Sequence, residues 1–167
     1  MSKILPLAGK AASAAILVGL VGVFGKLAGY PWLFASFGPT AALQVTMPQM
    51  RMSRAWNVAA GHLIAVGIGF AAIYATGAAD AAPFTSGQPL TFVRVEAASL
   101  AVFLGIGLEF VMRASHAPAA STTLLIALGL VPPSWHGVVA LVCGIALITA
   151  MGEAARRVQL RMQGSEL

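Results

Sequence analysis

Four apolar runs long enough to cross a bilayer, at residues 12–33, 56–77, 92–112 and 136–155, constrain this chain more than any motif in it. A hydrocarbon core about 30 Å thick takes about 20 residues of helix. In lipid every backbone N–H and C=O must be paired internally, so such runs fold as helices packed on one another. Composition agrees: AVILMFWYC residues make up 59% of the 167, charged residues only 9%, and mean hydropathy is +0.87. A soluble domain is about 25% charged, and this chain has too little polar surface to cover a water-facing globule. The expected fold is all-α integral membrane, a single domain over residues 1–167, with the lipid bilayer as its first partner.

The ends and charges refine this. Lys3 and Lys10 ahead of an apolar stretch resemble a secretory signal, but the stretch runs from Ala11 to about Trp32. That exceeds a signal's apolar region of about 7–15 residues, so it reads as the first membrane helix. The net charge of +5 does not point to nucleic acid, because the basic residues are scattered at the ends of apolar runs. Cys143 lies alone in an apolar run and reads as a small buried hydrophobe, with no disulfide or CxxC pair.

Two shorter apolar runs, 39–50 and 118–131, are each led by a proline. They give about 18–20 Å of helix at about 1.5 Å per residue, so they are short spans or half-helices. With six crossings, one face collects Lys3, Lys10, Arg51, Arg54, Arg113, Arg156, Arg157 and Arg161, leaving only Lys26 and Arg94 elsewhere. With re-entrant short segments the split falls to six against four. The positive-inside bias favours six helices, four long and two short, with both termini cytoplasmic.

An internal repeat fits that count. Ser36, Pro39, Ala41 and Trp56 recur 79 residues later as Ser115, Pro118, Ala120 and Trp135. Residues 12–77 and 92–155 thus read as a 3+3 repeat. An odd number of crossings per copy makes it inverted, a transporter design with its substrate site at the repeat interface. Gly25 and Gly29, Gly67 and Gly69, and Gly105 and Gly107 read as close-packing positions between helices.

Two stretches carry candidate chemistry. In Ser36–Leu43 (SFGPTAAL), Ser36 or Gly38 can cap, Pro39 suits the first helical position, and Thr40 adds a hydroxyl. In Ser115–Thr123 (SHAPAASTT), Pro118 opens a helix and Ser121, Thr122 and Thr123 supply hydroxyls. Helix N-termini present unpaired N–H groups and partial positive charge, which suits a small anion. The alternative is that both are ordinary capped starts.

These residues resemble the HPP family of integral membrane proteins: SFGPTAAL, then Asn57 with Gly61-His62, then His116-Ala117-Pro118-Ala119 before Ser121-Thr122, in the family's order and covering residues 30–150. The sequence departs in the eponymous motif, where His-Pro-Pro becomes His116-Ala117-Pro118. Members in plastids and cyanobacteria are implicated in nitrite transport, so the resemblance implies nitrite as cargo.

Polar residues inside apolar runs fit that implication. Asn57 and His62 each need a partner and either line an anion path or glue helices. His116, beside the second helix start, is the better candidate for a substrate or proton contact. Glu109 and Arg113, four apart, are expected to pair on one helix face. Lys26 is expected to snorkel, His136 to sit in a loop, and Met47, Met50 and Met52 to form an interfacial cluster. No metal-ligand spacing, H-E-x-x-H, nucleophile elbow or phosphate loop is present, so neither an enzyme nor a metal or cofactor is expected. The expected substrate-binding residues are Ser36, Gly38, Pro39, Thr40, Asn57, His62, Ser115, His116, Pro118, Ser121 and Thr122. The leading expectation is a bacterial inner-membrane transporter for a small inorganic anion, with proton coupling an option. One short chain has little material to enclose a path, which favours a homo-oligomer. The rivals are a passive anion channel and a structural subunit of a membrane complex.

Overall fold

The computed structural model describes residues 4–85 and 87–164; Lys3, placed on the basic face above, lies outside them. Among the described residues there are six α-helices: α1 (Ile4–Leu27), α2 (Phe37–Thr46), α3 (Ala55–Ala75), α4 (Phe92–Val111), α5 (Ala119–Ala127) and α6 (Trp135–Gly164). Two single 3₁₀ turns, Arg51–Ser53 and Ala78–Asp80, sit in the loops. The four long helices and two short ones match the sequence reading in number and order. Their bounds differ: α1 starts earlier than residue 12, α6 runs past 155, and the short helices are 10 and 9 residues. At about 1.5 Å per residue α2 and α5 cover about half a hydrocarbon core. Non-helical segments, residues 28–36 and 112–118, precede them.

Three helices, α1, α3 and α6, are long and apolar enough to cross a membrane. The fourth long run falls short on charge, not length, because α4 carries Arg94, Glu96 and Glu109 within its 20 residues.

Helix stops follow one device. At the end of α1, Gly29 adopts φ +75°; its N–H donates to Lys26 O and the Tyr30 N–H donates to Gly25 O. This is a Schellman closure, so Gly29 ends a helix and is not half of a helix-packing pair. Gly129 does the same for α5, with bonds to Ile126 O and Leu125 O. Arg113 does it for α4 at φ 54°, a left-handed conformation that costs a non-glycine residue roughly 1–2 kcal/mol.

Bonds between loops set the helix directions. Arg156 Nη1 donates to Pro48 O and Gln49 Nε2 to Gln163 Oε1, so α2 ends beside the end of α6. Asn57 Nδ2 donates to Ser115 O, joining the start of α3 to the end of α4. Tyr30 stacks on His136 at 6.4 Å, joining the end of α1 to the start of α6. Successive helices therefore alternate. One end of the bundle gathers Arg51, Arg54, Arg113, Arg156, Arg157 and Arg161; the other holds Lys26, Arg94 and His136. His136 is the second residue of α6, not a loop residue.

Arg94 is 3% exposed and holds that second end together. Its guanidinium donates to Ala82 O at 3.3 Å, Ala81 O at 2.6 Å and Ala127 O at 3.0 Å. The last bond places a cation on the carbonyl end of α5, where the helix dipole favours it.

α3 is the hub, packed against α4, α5 and α6. Each short helix lies on the long helix before it (α1 with α2, α4 with α5) and on the last long helix of the other half (α2 with α6, α5 with α3). The core is Val21, Phe37, Val45, Val58, Ile73, Ile126, Leu141, Ile145 and Ile148. Trp56 and Trp135, the repeated tryptophans, both stand exposed at helix starts, where membrane interfaces favour them.

Candidate functional site

The first turn of α2 and the approach to α5 meet inside the bundle. Ser36, Thr40, His62, His116 and Thr122 are all fully buried there. Thr40 Oγ1 lies 3.0 Å from His62 Nε2 and 3.0 Å from His116 Nε2, bridging the two rings. His62 Nδ1 lies 2.9 Å from Thr122 Oγ1, which is 2.9 Å from Ser36 Oγ. His116 Nδ1 is 2.8 Å from Met52 O, and a carbonyl only accepts, so that nitrogen carries a proton. The result is one chain of contacts from Ser36 through Thr122, His62, Thr40 and His116 to Met52.

Small residues permit this approach. A Cβ on Gly61 would lie 2.8 Å from the His116 Cβ, and one on Gly144 would lie 2.8 Å from the Phe37 ring. The two long helices thus each press a glycine on a short-helix tip. Phe37 sits edge-on to His62 at 5.7 Å, and the imidazoles of His62 and His116 are 4.9 Å apart by centroid. The chain is therefore walled by aromatic and apolar groups, where an unpaired polar atom is costly.

Local chemistry at the tips departs from the sequence reading in three ways. Ser36 precedes α2 but its hydroxyl caps no N–H; it meets the Thr122 hydroxyl at 2.9 Å instead. Pro39 is the third residue of α2, not the first, and is exposed, while Gly38 is half-buried. Glu109 makes no ion pair with Arg113: its Oε2 accepts the His116 N–H at 2.9 Å. The turn that leads into α5 is thus already engaged by a carboxylate of the chain itself. Sequence spacing alone misses this contact, although a carboxylate buried in a membrane helix is by default a functional candidate.

Of the predicted residues, Ser36, Thr40, His62, His116 and Thr122 come together, with buried Pro118 behind them. Asn57 is buried nearby but holds backbone, donating to Ser115 O at 3.0 Å and Arg113 O at 3.4 Å. Ser115 contributes its carbonyl, and Ser121 stands outside the cluster, part-exposed. One residue escapes sequence reading. Gln44, fully buried one helical turn beyond Thr40, has both its amide oxygen and nitrogen without a hydrogen bond. It lies over Gly152, where any side chain would collide with it. Ser36, Thr40 and Gln44, spaced four apart, form one polar line on α2.

Two clefts flank the cluster. One, of about 650 Å³, opens at the end holding Tyr30 and His136 and includes Ala35, the chain neighbour of Ser36. The other, of about 330 Å³, is lined by Arg51, Met52, Asn57, Phe110, Arg113 and Ser115 at the opposite end. Met52 and Ser115 are the residues that touch or adjoin His116. The polar chain therefore lies between an aromatic cleft and an arginine-lined one.

Over residues 3–163 the chain matches the family described as HPP, transmembrane region. It belongs to the HPP family. No curated protein and no solved structure matches it. The buried polar chain is built on the stretches that resemble HPP proteins: SFGPTAAL supplies Ser36 and Thr40, Gly61-His62 supplies the hub, and His116 begins the eponymous motif. Ala117, standing in place of that motif's first proline, is exposed and makes no contact with the chain, so the departure leaves the cluster intact.

Proposed function

We propose that this HPP-family membrane protein transports a small inorganic anion, nitrite by family resemblance, between the two clefts and through the His62–Thr40–His116 cluster. The observation that carries the reading is Glu109: beside the cluster, the backbone N–H of His116 holds a carboxylate at 2.9 Å in a buried site with, among the described residues, no Lys or Arg within ion-pair distance. A planar two-oxygen anion such as nitrite resembles that carboxylate in charge and shape. Arg51 and Arg113 would draw it into the smaller cleft, and Gln44 offers an unused amide donor beside Thr40. The stabilisation must stay modest, because tight binding would trap the cargo.

In this conformation Thr40 bridges both rings, so a cargo on this route would have to part them. That favours alternating access over a permanently open channel. The like pattern of helix contacts in the two halves supports an inverted repeat, with the cluster at its interface. Both termini at the arginine-rich end are read as cytoplasmic. We propose transport and no catalysis.

A specific observation favours a second reading, a structural role. Every imidazole and hydroxyl in the cluster already has a partner, as in a core that only holds helices together. Uptake by protein in liposomes, with nitrite, nitrate, formate and chloride compared, decides between them. Saturable nitrite uptake, stimulated by nitrite on the far side, supports the transporter. Uptake without that stimulation supports a channel, and no uptake of any anion supports the structural role.

A further inference from the structure

The buried chain of contacts has one fewer proton than it has places for. Six short contacts run through it: Thr40 to Ser36 O (2.9 Å), to His62 and to His116; His62 to Thr122; Thr122 to Ser36 Oγ; and His116 to Met52 O. With both rings neutral, the three hydroxyls and two imidazoles supply one proton each. Five protons serve six contacts. The shortage falls on Thr40, whose single proton faces a carbonyl and two ring nitrogens.

We infer that the cluster is a proton-binding site that takes up one excess proton and holds it on His116. Only one arrangement then satisfies all six contacts. Ser36 donates to Thr122, Thr122 to His62 Nδ1, and His62 Nε2 to Thr40. His116, as imidazolium, donates from Nε2 to Thr40 and from Nδ1 to Met52 O, while Thr40 donates to Ser36 O. Without the excess proton Thr40 turns its hydroxyl to His116 Nε2 and leaves Ser36 O. Loading and unloading thus differ by one proton on His116 Nε2 and a rotation of one hydroxyl.

The surroundings supply what a buried charge needs. From α4, Glu109 accepts the backbone N–H of His116 and so places an acidic group on the backbone of the residue that bears the proposed imidazolium. From α3, His62 stays neutral in the arrangement above and adds no like charge. Arg51 and Arg113 line the cleft beyond Met52 and Ser115 and are exposed. The chain starts one residue from the cleft that Ala35 lines and ends on a residue of the opposite one. A proton on His116 therefore has a hydrogen-bonded route through Thr40, His62 and Thr122 to Ser36, while Met52 O, a carbonyl, only anchors the other ring nitrogen. This deepens the transport reading by naming the proton as coupling ion, and it rests on that reading only for the proton's use.

Nitrogen-15 NMR of full-length, histidine-labelled protein in lipid bilayers tests it, with H136Q removing the third ring. On titration from about pH 9 to about pH 4, His116 is expected to gain its second N–H while His62 keeps a single one on Nε2. T40V removes the acceptor for the new proton, and E109Q removes the acidic group held on the His116 backbone. Each should move the step at least about one pH unit lower. T40S should restore it, and T123V, whose hydroxyl bonds only Ala120 O, should leave it in place. Two results overturn the inference: both rings staying neutral across the range in which the protein remains folded, or a step that T40V does not move. No anion is present in this experiment, so a protein that moves no nitrite can still pass it, and a failure here leaves uncoupled anion transport standing.

Discussion

Gln44 is the side chain whose two possible roles predict opposite effects. A fully buried amide with neither atom bonded costs about 1–3 kcal/mol relative to a paired or apolar group. If it only fills space above Gly152, Gln44→Leu removes that penalty and changes nothing else. If it serves a passing anion, the same substitution raises stability and lowers uptake. We expect the second result: a higher thermal midpoint in detergent with nitrite uptake reduced about tenfold or more in liposomes, the loss of one donor to a charged group. Uptake unchanged at raised stability would remove Gln44 from the path. Sequence reading reaches Thr40, His62, His116 and Thr122 because hydroxyls and imidazoles inside apolar runs demand partners. It passes over Gln44, a lone amide between Leu43 and Val45 that belongs to no motif. It misplaces Glu109, because four-residue spacing on a helix says nothing of the turn that folds back over it.

Between elements, the approach of α3 to α5 depends on a single missing methyl. A Cβ at Gly61 would lie 2.8 Å from His116 Cβ and 3.1 Å from Ala114 O. The neighbours are a side-chain root and backbone, which cannot swing away. Gly61→Ala must therefore push the α5 tip from α3 and lengthen the Thr40 bridge. Such overpacking costs about 1–3 kcal/mol, and we expect uptake to fall to background while helix content by circular dichroism is kept. Gly67→Ala, on the same helix with open space around it, is expected to match the wild type in both measurements. If the two variants behave alike, close packing at Gly61 has no bearing on the site. The long helices are legible from apolar length, and the two short runs as short spans or half-helices, yet the points where α2 and α5 stop are not. Hydropathy continues past Thr46 and Ala127, while the backbone turns at Met47 and at the Gly129 Schellman closure. The sequence likewise marks Gly25 and Gly29 as a packing pair, because spacing cannot reveal that Gly29 has left the helix.

Across the whole molecule, alternating helix directions place six arginines at one end and Lys26 and Arg94 at the other. The two minority cations differ in kind. Arg94 is consumed by three carbonyls inside the fold, and Lys26 is exposed at the end of α1. The charge that a membrane can sort is therefore more lopsided than the count suggests, because a cation buried against carbonyls is not free to act at a surface. The positive-inside bias then predicts that the arginine end faces the cytoplasm. Single cysteines at Gln49, Gln163 and Gly77, each in a Cys143→Ser background, test this in intact cells with a membrane-impermeant thiol reagent. Gln49 and Gln163 lie together at the arginine end, joined by their side-chain bond, and Gly77 follows α3 at the other. We expect Gly77→Cys to label from outside, and the other two only after the membrane is opened. Labelling of Gln49→Cys and Gln163→Cys from opposite sides would break the alternation itself. Labelling of both from outside would keep the fold and reverse it, placing the arginine-lined cleft at the outer surface.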